Sequence, residues 1–189
     1  MLILIGKSAS GKTVVRDQLV EKYKFNPIVT YTTRPMRKGE IPGITYHYIS
    51  KDDFLKKIDD GFFAEWKKYK VDENIWYYGT SKADIDNADD NSVIILTPDG
   101  VRDVTKCYEN FAVIYLYANT RTIKDRLLKR NDSNDKIEDR MKRDSVDFKN
   151  AEFLADKIVY NNEEMNFENV VENVVTQYRR VLNKWTKMD

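Results

Sequence analysis

The sequence predicts an α/β fold: a parallel central sheet with helices on both faces, three layers in all. Three observations carry this reading. Short apolar runs alternate with helical stretches along the chain. A glycine loop joins the first apolar run to the first helix. The chain then closes on a long helix with one apolar face.

Residues 1–5 (Met-Leu-Ile-Leu-Ile) have no polar break, as expected of a strand buried on both faces. Residues 6–13 read Gly-Lys-Ser-Ala-Ser-Gly-Lys-Thr, a full match to G-x-x-x-x-G-K-[ST]. In 14–23, Val15, Leu19 and Tyr23 stand four apart on one helical face. Segments 25–30, 92–97, 112–117 and 157–160 supply four more strands, and 120–129 a helix between the last two. In the closing helix Phe167, Val170, Val171, Val174, Val175, Tyr178, Val181, Leu182 and Trp185 step by three and four. Strands alternating with helices imply parallel pairing. Ligands then gather at the carboxyl ends of the strands, where 6–13 lies.

Two segments break the alternation. Residues 31–82 are rich in aromatics and turns; alternation in 45–49 and 62–66 predicts antiparallel strands, and 52–59 a short helix that Gly61 ends. Residues 126–149 carry Arg126, Arg130, Arg140 and Arg143 among many Asp and Lys, with almost nothing apolar. Such a segment cannot build its own core and reads as a mobile, charged lid. The expected organisation is a core of 1–30, 83–125 and 150–189, an inserted lobe at 31–82 and a lid at 126–149.

Composition bounds the rest. The chain has 189 residues and 41% hydrophobic content, enough for one domain with small insertions. Lys and Arg total 32 and Asp and Glu 31, a net charge of +1, which argues against a dedicated nucleic-acid binder. The single cysteine, Cys107, excludes an internal disulfide and a cysteine metal site, and is expected to be a partly buried hydrophobe. Gly6 and Lys7 interrupt the first apolar run, so no signal peptide is expected. No stretch approaches about 20 apolar residues, so no membrane span is expected, and the cytoplasm is the default location.

The loop has direct physics. Gly6 and Gly11 let the backbone curl, so that N–H groups from Ser8, Ala9 and Ser10 converge on phosphate oxygens. The next helix adds unpaired N–H donors and the positive end of its dipole. Lys12 supplies a point charge, and the Thr13 hydroxyl is the expected Mg²⁺ ligand.

A second set of residues specifies more than a phosphate. Residues 30–40 read Thr-Tyr-Thr-Thr-Arg-Pro-Met-Arg-Lys-Gly-Glu; Gly43 and Tyr46 follow, then Glu65-Trp66, then Tyr-Tyr-Gly-Thr-Ser at 77–81. Arg34 and Arg37, three apart, can turn both forks onto one phosphate dianion. Tyr46 and Tyr78 can donate phenolic hydrogen bonds to it. The carboxylate of Glu65 can accept from two neighbouring donors at once.

With the loop, these ordered motifs resemble the guanylate kinase family over essentially the whole chain. The resemblance implies a three-layer P-loop fold with a parallel central sheet, an inserted mixed α/β nucleoside-monophosphate-binding lobe and a helical lid. It implies transfer of the γ-phosphoryl of ATP to GMP, with Mg²⁺. It assigns Arg34, Arg37, Tyr46 and Tyr78 to the GMP phosphate, and Glu65, Thr30 and Thr80 to the guanine. Arg126, Arg130 and Arg140 become lid arginines that join Lys12 around the transferring group, and Asn161 lies near the adenine. The implied partners are the small molecules ATP and GMP, with no nucleic acid and no membrane, for a monomer or homodimer.

There are departures. Two aspartates usual in the family's third strand fall on Ile95 and Thr97, with Asp99 two positions beyond. Either Asp99 substitutes, or Thr13, phosphates and water hold the metal. Thr97, at the nucleoside side, leaves open another (deoxy)nucleoside monophosphate as acceptor. Lys7 stands where proline is common. A silent binding module would have no need of Lys12 and Thr13. A GTPase would need Asn-Lys-x-Asp, and the only Asn-Lys, at 183–184, is followed by Trp185 and Thr186. His47 is given no role and is expected to be a partly exposed strand residue.

Overall fold

The computed structural model describes residues 1–37, 39–71, 73–130 and 134–185. From the start the elements are β1 (Leu2–Ile5), α1 (Lys12–Tyr23), β2 (Asn26–Pro27), β3 (Tyr31–Thr32), β4 (His47–Tyr48), α2 (Lys51–Asp59), β5 (Phe63–Val71) and β6 (Asn74–Ser81). There follow α3 (Lys82–Asp86), β7 (Ser92–Ile95), α4 (Pro98–Val104), β8 (Ala112–Tyr117), α5 (Thr120–Lys129), α6 (Asn134–Asp147), β9 (Lys157–Tyr160) and α7 (Phe167–Trp185).

The central sheet has the order β2-β7-β1-β8-β9, parallel throughout. Its middle strand explains the layers. Leu2 and Leu4 face one side and Ile3 and Ile5 the other, all fully buried. On the first side they meet Val15 and Leu19 of α1 and Val170, Val174 and Tyr178 of α7. On the second they meet Val101 and Val104 of α4, with Ala151 of a short 3-10 helix. Each such aliphatic side chain stabilises the fold by about 2 kcal/mol through burial. The expected α/β architecture is observed. No described helix is long and apolar enough to cross a membrane.

A second sheet, β4-β3-β6-β5, carries the aromatic segment. The β5–β6 hairpin is antiparallel, as expected of 62–66, but the expected antiparallel strand at 45–49 is not: His47–Tyr48 runs parallel to β3, and Tyr46 makes an isolated parallel bridge with Pro42. The loop before it turns at Gly39 and Gly43, both at positive φ, and returns the chain in its original direction. His47 is a partly exposed strand residue, as expected. The hairpin has a bulge between Phe63 and Glu65. One extra residue reverses the side-chain phase. Phe63 therefore stacks on Phe54 of α2 at 4.4 Å, while Glu65, Lys67 and Tyr69 turn to the opposite face.

Other expectations are corrected. The strand at 25–30 shrinks to Asn26–Pro27 at the sheet edge, where Pro27, with no N–H, faces away from β7 while Asn26 and Ile28 N–H donate to Asn91 O and Val93 O. The strand at 92–97 stops at Ile95 because Thr97 is already the N-cap of α4, its hydroxyl accepting from Gly100 N–H at 3.1 Å. Cys107 is exposed rather than partly buried. The charged segment does have an apolar anchor: Ile137 of α6, 1% exposed, packs with Ala9, Ala118, Ile123 and Leu127. α6 thus borrows a core from the glycine loop and α5.

Candidate active site

The glycine loop follows β1, and its curvature has a steric cause. Gly11 adopts φ +100°, and a Cβ there would strike the side-chain amide of Asn161. That amide holds the loop, donating to Ser10 O at 2.8 Å. Arg126 of α5 donates to Ala9 O at 3.2 Å and to Asn161 Oδ1 at 3.3 Å. Gly11 has no side chain to cap α1, so the first N–H groups of that helix stay open to an anion. Lys12 folds back, its Nζ donating to Gly6 O at 2.5 Å and Lys7 O at 2.9 Å. Burial pulls its pKa down to about 8, and the nearby Asp144 opposes that only in part. Thr13 is exposed on the first turn of α1. Ser10 Oγ is buried beneath the loop with no hydrogen-bond partner among the described residues.

α6 reaches onto this loop. Asp144 accepts from Ser8 N–H at 2.7 Å and from Ser8 Oγ at 3.2 Å. A carboxylate here takes a donor that the loop geometry offers to an anion. Nothing in the sequence pattern singled it out, because it is one of many aspartates on a charged helix.

A cavity of about 340 Å³ joins the loop to the β5–β6 hairpin. Of the residues expected to act, Gly6, Ser8, Lys12, Thr30, Arg37, Tyr46, Glu65, Tyr78, Thr97 and Arg140 line it. Ala9, Gly11, Arg126, Arg130 and Asn161 instead line a second cavity of about 330 Å³ on the other side of the loop. Ser10, Thr13, Arg34 and Thr80 line neither of these cavities.

Glu65 is buried, 8% exposed, and accepts from Thr80 Oγ at 2.6 Å. Burial pushes its carboxyl up to about 7, against the Thr80 hydrogen bond and the charge of Lys67. Tyr46 and Tyr78 meet edge to face at 5.9 Å. Arg34 and Arg37 do not converge as their spacing suggested. Arg37 lines the cavity, while Arg34 is 4% exposed and lies behind it. The Arg34 guanidinium donates to Glu40 and to Pro35 O, both at 2.6 Å, and stacks over Tyr46 at 5.5 Å. Glu40 also accepts from Arg37 N–H and the Tyr48 hydroxyl, each at 2.7 Å. Burial alone would raise its carboxyl, but these donors outweigh it and hold it at about 2. Glu40 therefore sets the arginine loop, a role its place in the motif did not reveal.

Asp99 is occupied elsewhere: it lies 2.8 Å from Arg102 and 3.6 Å from Lys67. Among the described residues no group of three His, Cys, Asp or Glu is arranged to hold a metal.

A family model described as guanylate kinase matches residues 1–179. The chain belongs to the guanylate kinase family. A guanylate kinase of Helicobacter pylori is 35% identical over 147 residues, 75% of this chain and 69% of that protein. One of Campylobacter jejuni is 33% identical over 138 residues, 69% of this chain and 65% of that protein. One of Bdellovibrio bacteriovorus is 38% identical over 89 residues, and there the match spans 46% of the relative's length. A guanylate kinase crystal structure from Anaplasma phagocytophilum superposes with a TM-score of 0.70 at 20% identity, covering 95% of this chain and 84% of that one. At that identity the superposition shows the fold.

Within this guanylate kinase fold, the Asp144 contact leads to a prediction. Asp144→Asn should tighten binding of inorganic tripolyphosphate about tenfold, since a charge-assisted hydrogen bond is worth about 1.5–3 kcal/mol and tenfold is about 1.4. Calorimetry reads it. Weaker binding in the variant would mean that the carboxylate supports the anion rather than competing with it.

Proposed function

We propose that this chain transfers the γ-phosphoryl of ATP to GMP, giving ADP and GDP. The observation that carries the reading is the cavity running unbroken from Lys12 to Glu65. A donor at the glycine loop and an acceptor at the hairpin would share it.

In this reading Gly6, Ser8, Ala9, Ser10 and Gly11 present the loop backbone to the triphosphate, and Asn161 lies near the adenine. Lys12, Arg126, Arg130 and Arg140 offset charge on the transferring group. Arg37, Tyr46 and Tyr78 hold the acceptor phosphate, and Arg34 works from behind through Tyr46 and Glu40. Glu65, with Thr30, Thr80 and Thr97, reads the base. The acceptor oxygen is already ionised, so alignment dominates and no general base is needed. Magnesium fits the donors present: a hard cation that keeps several waters needs few protein oxygens, and the exposed Thr13 hydroxyl would be one. When bound, it neutralises phosphate oxygens. Lobe and lid would close over both nucleotides and exclude water. ATP and GMP are cytoplasmic metabolites, so the cytoplasm is the compartment that suits this activity.

ADP release from Mg-ATP with GMP, dGMP, AMP, CMP or UMP tests the proposal. GMP should serve best. If no acceptor exceeds buffer alone, the reading fails. A second acceptor reading, another (deoxy)nucleoside monophosphate, is favoured by Thr97, whose oxygen already accepts from Gly100. The same panel decides it.

The pH dependence follows from two groups. Glu65 must be a carboxylate to accept from guanine, and its carboxyl is raised to about 7. Lys12 must be charged, and it is lowered to about 8. With ATP saturating, kcat/KM for GMP should rise about tenfold per pH unit up to about 7. With GMP saturating, kcat/KM for ATP should fall above about 8. Stability moves the other way on the Glu65 side. A raised carboxyl favours the fold most below the ordinary carboxylate range, and this contribution is lost as pH climbs from about 4.5 to about 7. Profiles flat from pH 5 to 7 would remove Glu65 from the base-reading role.

A further inference from the structure

Between the two ends of the acceptor cavity stands a residue that neither the sequence motifs nor the proposed mechanism uses. Tyr69 lies on β5, four residues past Glu65 and on the same face beyond the bulge. It lines the cavity with Glu65, Thr97 and Tyr78. Its ring packs edge-on against Tyr78 at 5.6 Å. Its phenol and the Thr97 side chain line the same stretch of the cavity and interact electrostatically.

These contacts form a continuous wall. Tyr78 touches Tyr69, and Tyr69 lines the cavity beside Thr97. Thr97 caps Gly100, where a Cβ would stand 3.4 Å from Thr97 Oγ and 3.1 Å from Glu65 Oε2. The wall thus begins at the phosphate end, at Tyr78, and finishes at the base end, at Glu65. A nucleoside monophosphate has the same order: phosphate, sugar, base. The middle of the wall, the Tyr69–Thr97 pair, is where the sugar must pass.

The chemistry of the pair suits a hydroxyl. Thr97 Oγ already accepts from Gly100 N–H, so its own proton is available to Tyr69 Oη. The phenolic proton is then left for a ligand. Burial pushes the phenol up to about 12, so it remains a neutral donor across the working range. Both ends of the pair are uncharged, and Lys67, on the same face of β5, is held by Asp99 at 3.6 Å and Asp103 at 3.2 Å. The ribose hydroxyl closest to the base is the 2′-hydroxyl, on the carbon next to the glycosidic one. It is also the hydroxyl nearest the Thr97–Gly100–Glu65 end.

We propose that Tyr69, oriented by Thr97, donates a hydrogen bond to the 2′-hydroxyl of the acceptor and sets its preference for ribose over deoxyribose. The proposal rests on the acceptor reading given above. A deoxyribose would leave the phenol facing a methylene, and a site that loses a hydroxyl partner discriminates against the analogue. The phenol is partly open to solvent here, so the preference is about tenfold rather than several thousandfold.

The experiment compares kcat/KM and calorimetric Kd for GMP and dGMP in the wild type, Tyr69→Phe, Thr97→Val and, as a control, Glu65→Gln. The wild type should prefer GMP about tenfold. Tyr69→Phe keeps the ring against Tyr78 and should bring the ratio near one by weakening GMP alone. Thr97→Val should do the same in part. A wild type that binds both equally overturns the proposal. So does a Tyr69→Phe enzyme with an unchanged ratio, or one that loses both nucleotides alike, which marks a purely structural wall. Glu65→Gln should weaken both equally. If the wild type neither binds nor phosphorylates GMP or dGMP, the acceptor reading itself is wrong and the proposal falls with it.

Discussion

Glu65→Gln is expected to lower kcat/KM for GMP about 10³-fold and to leave ATP affinity unchanged. The carboxylate can accept from both the N1–H and the 2-amino group of guanine. Glutamine keeps one acceptor and turns an amide donor toward the second, so two donors face each other in a buried site. Glu65 is only 8% exposed, and water cannot relieve that mismatch. Leaving a buried donor unpaired costs about 1–3 kcal/mol, and the lost charge-assisted bond adds about as much. Their sum, about 4 kcal/mol, is about 10³-fold. Steady-state kinetics with GMP and calorimetry with an ATP analogue check it; equal loss of both would acquit Glu65. Stability supplies an independent signature. A carboxyl lifted to about 7 is a charge the fold tolerates poorly at higher pH. The glutamine variant should therefore be more stable at pH 8, by on the order of 2 kcal/mol in urea unfolding. Gain of stability with loss of activity distinguishes a residue kept for recognition from one kept for packing.

The parts of the molecule legible from sequence are those whose pattern is local. β8, β9 and α5 coincide with the residue spans predicted for them, and α7 follows its three-and-four spacing. Their signals, an unbroken apolar run or a sustained helical stripe, need no knowledge of neighbours. Strand direction in the second sheet was not local. Whether 45–49 ran parallel or antiparallel depended on the path through Gly39 and Gly43, not on its own alternation. α4 went unseen although Thr97-Pro98 is an N-cap followed by a favoured first helical residue. In the site, the motifs named many of the residues that line the cavity, such as Lys12, Glu65 and Tyr78, yet not their posture. Arg34 and Arg37 share a spacing but not an environment, because Glu40 draws one guanidinium inward. Asp144 and Tyr69 carried no signal at all. One is an aspartate among many and the other an aromatic among many, and only long-range packing gives each a partner.

Lys12→Met is expected to cut kcat about 10³-fold while GMP affinity holds. Lys12 Nζ now sits on Gly6 O and Lys7 O, so a bound triphosphate must draw it off those carbonyls. The exchange is favourable because the carbonyls are neutral and the phosphate is not. It also restores the charge that burial weakens: the same burial that lowers the free amine to about 8 strengthens its attraction to an anion in the cavity. Removing one preorganised donor from a developing charge costs about 10²–10³ in kcat, and a full cation in a dry site stands at the upper end. Methionine preserves most of the stem, so the loop should fold, and an unchanged calorimetric Kd for GMP verifies that the acceptor side survives. An equal fall in GMP binding would mean that Lys12 shapes the cavity rather than the transferring group. Raising the pH offers the same comparison without mutation. Above about 8 the wild type's kcat/KM for ATP should fall toward the variant's level, whereas the variant, with no amine to titrate, should show no such fall.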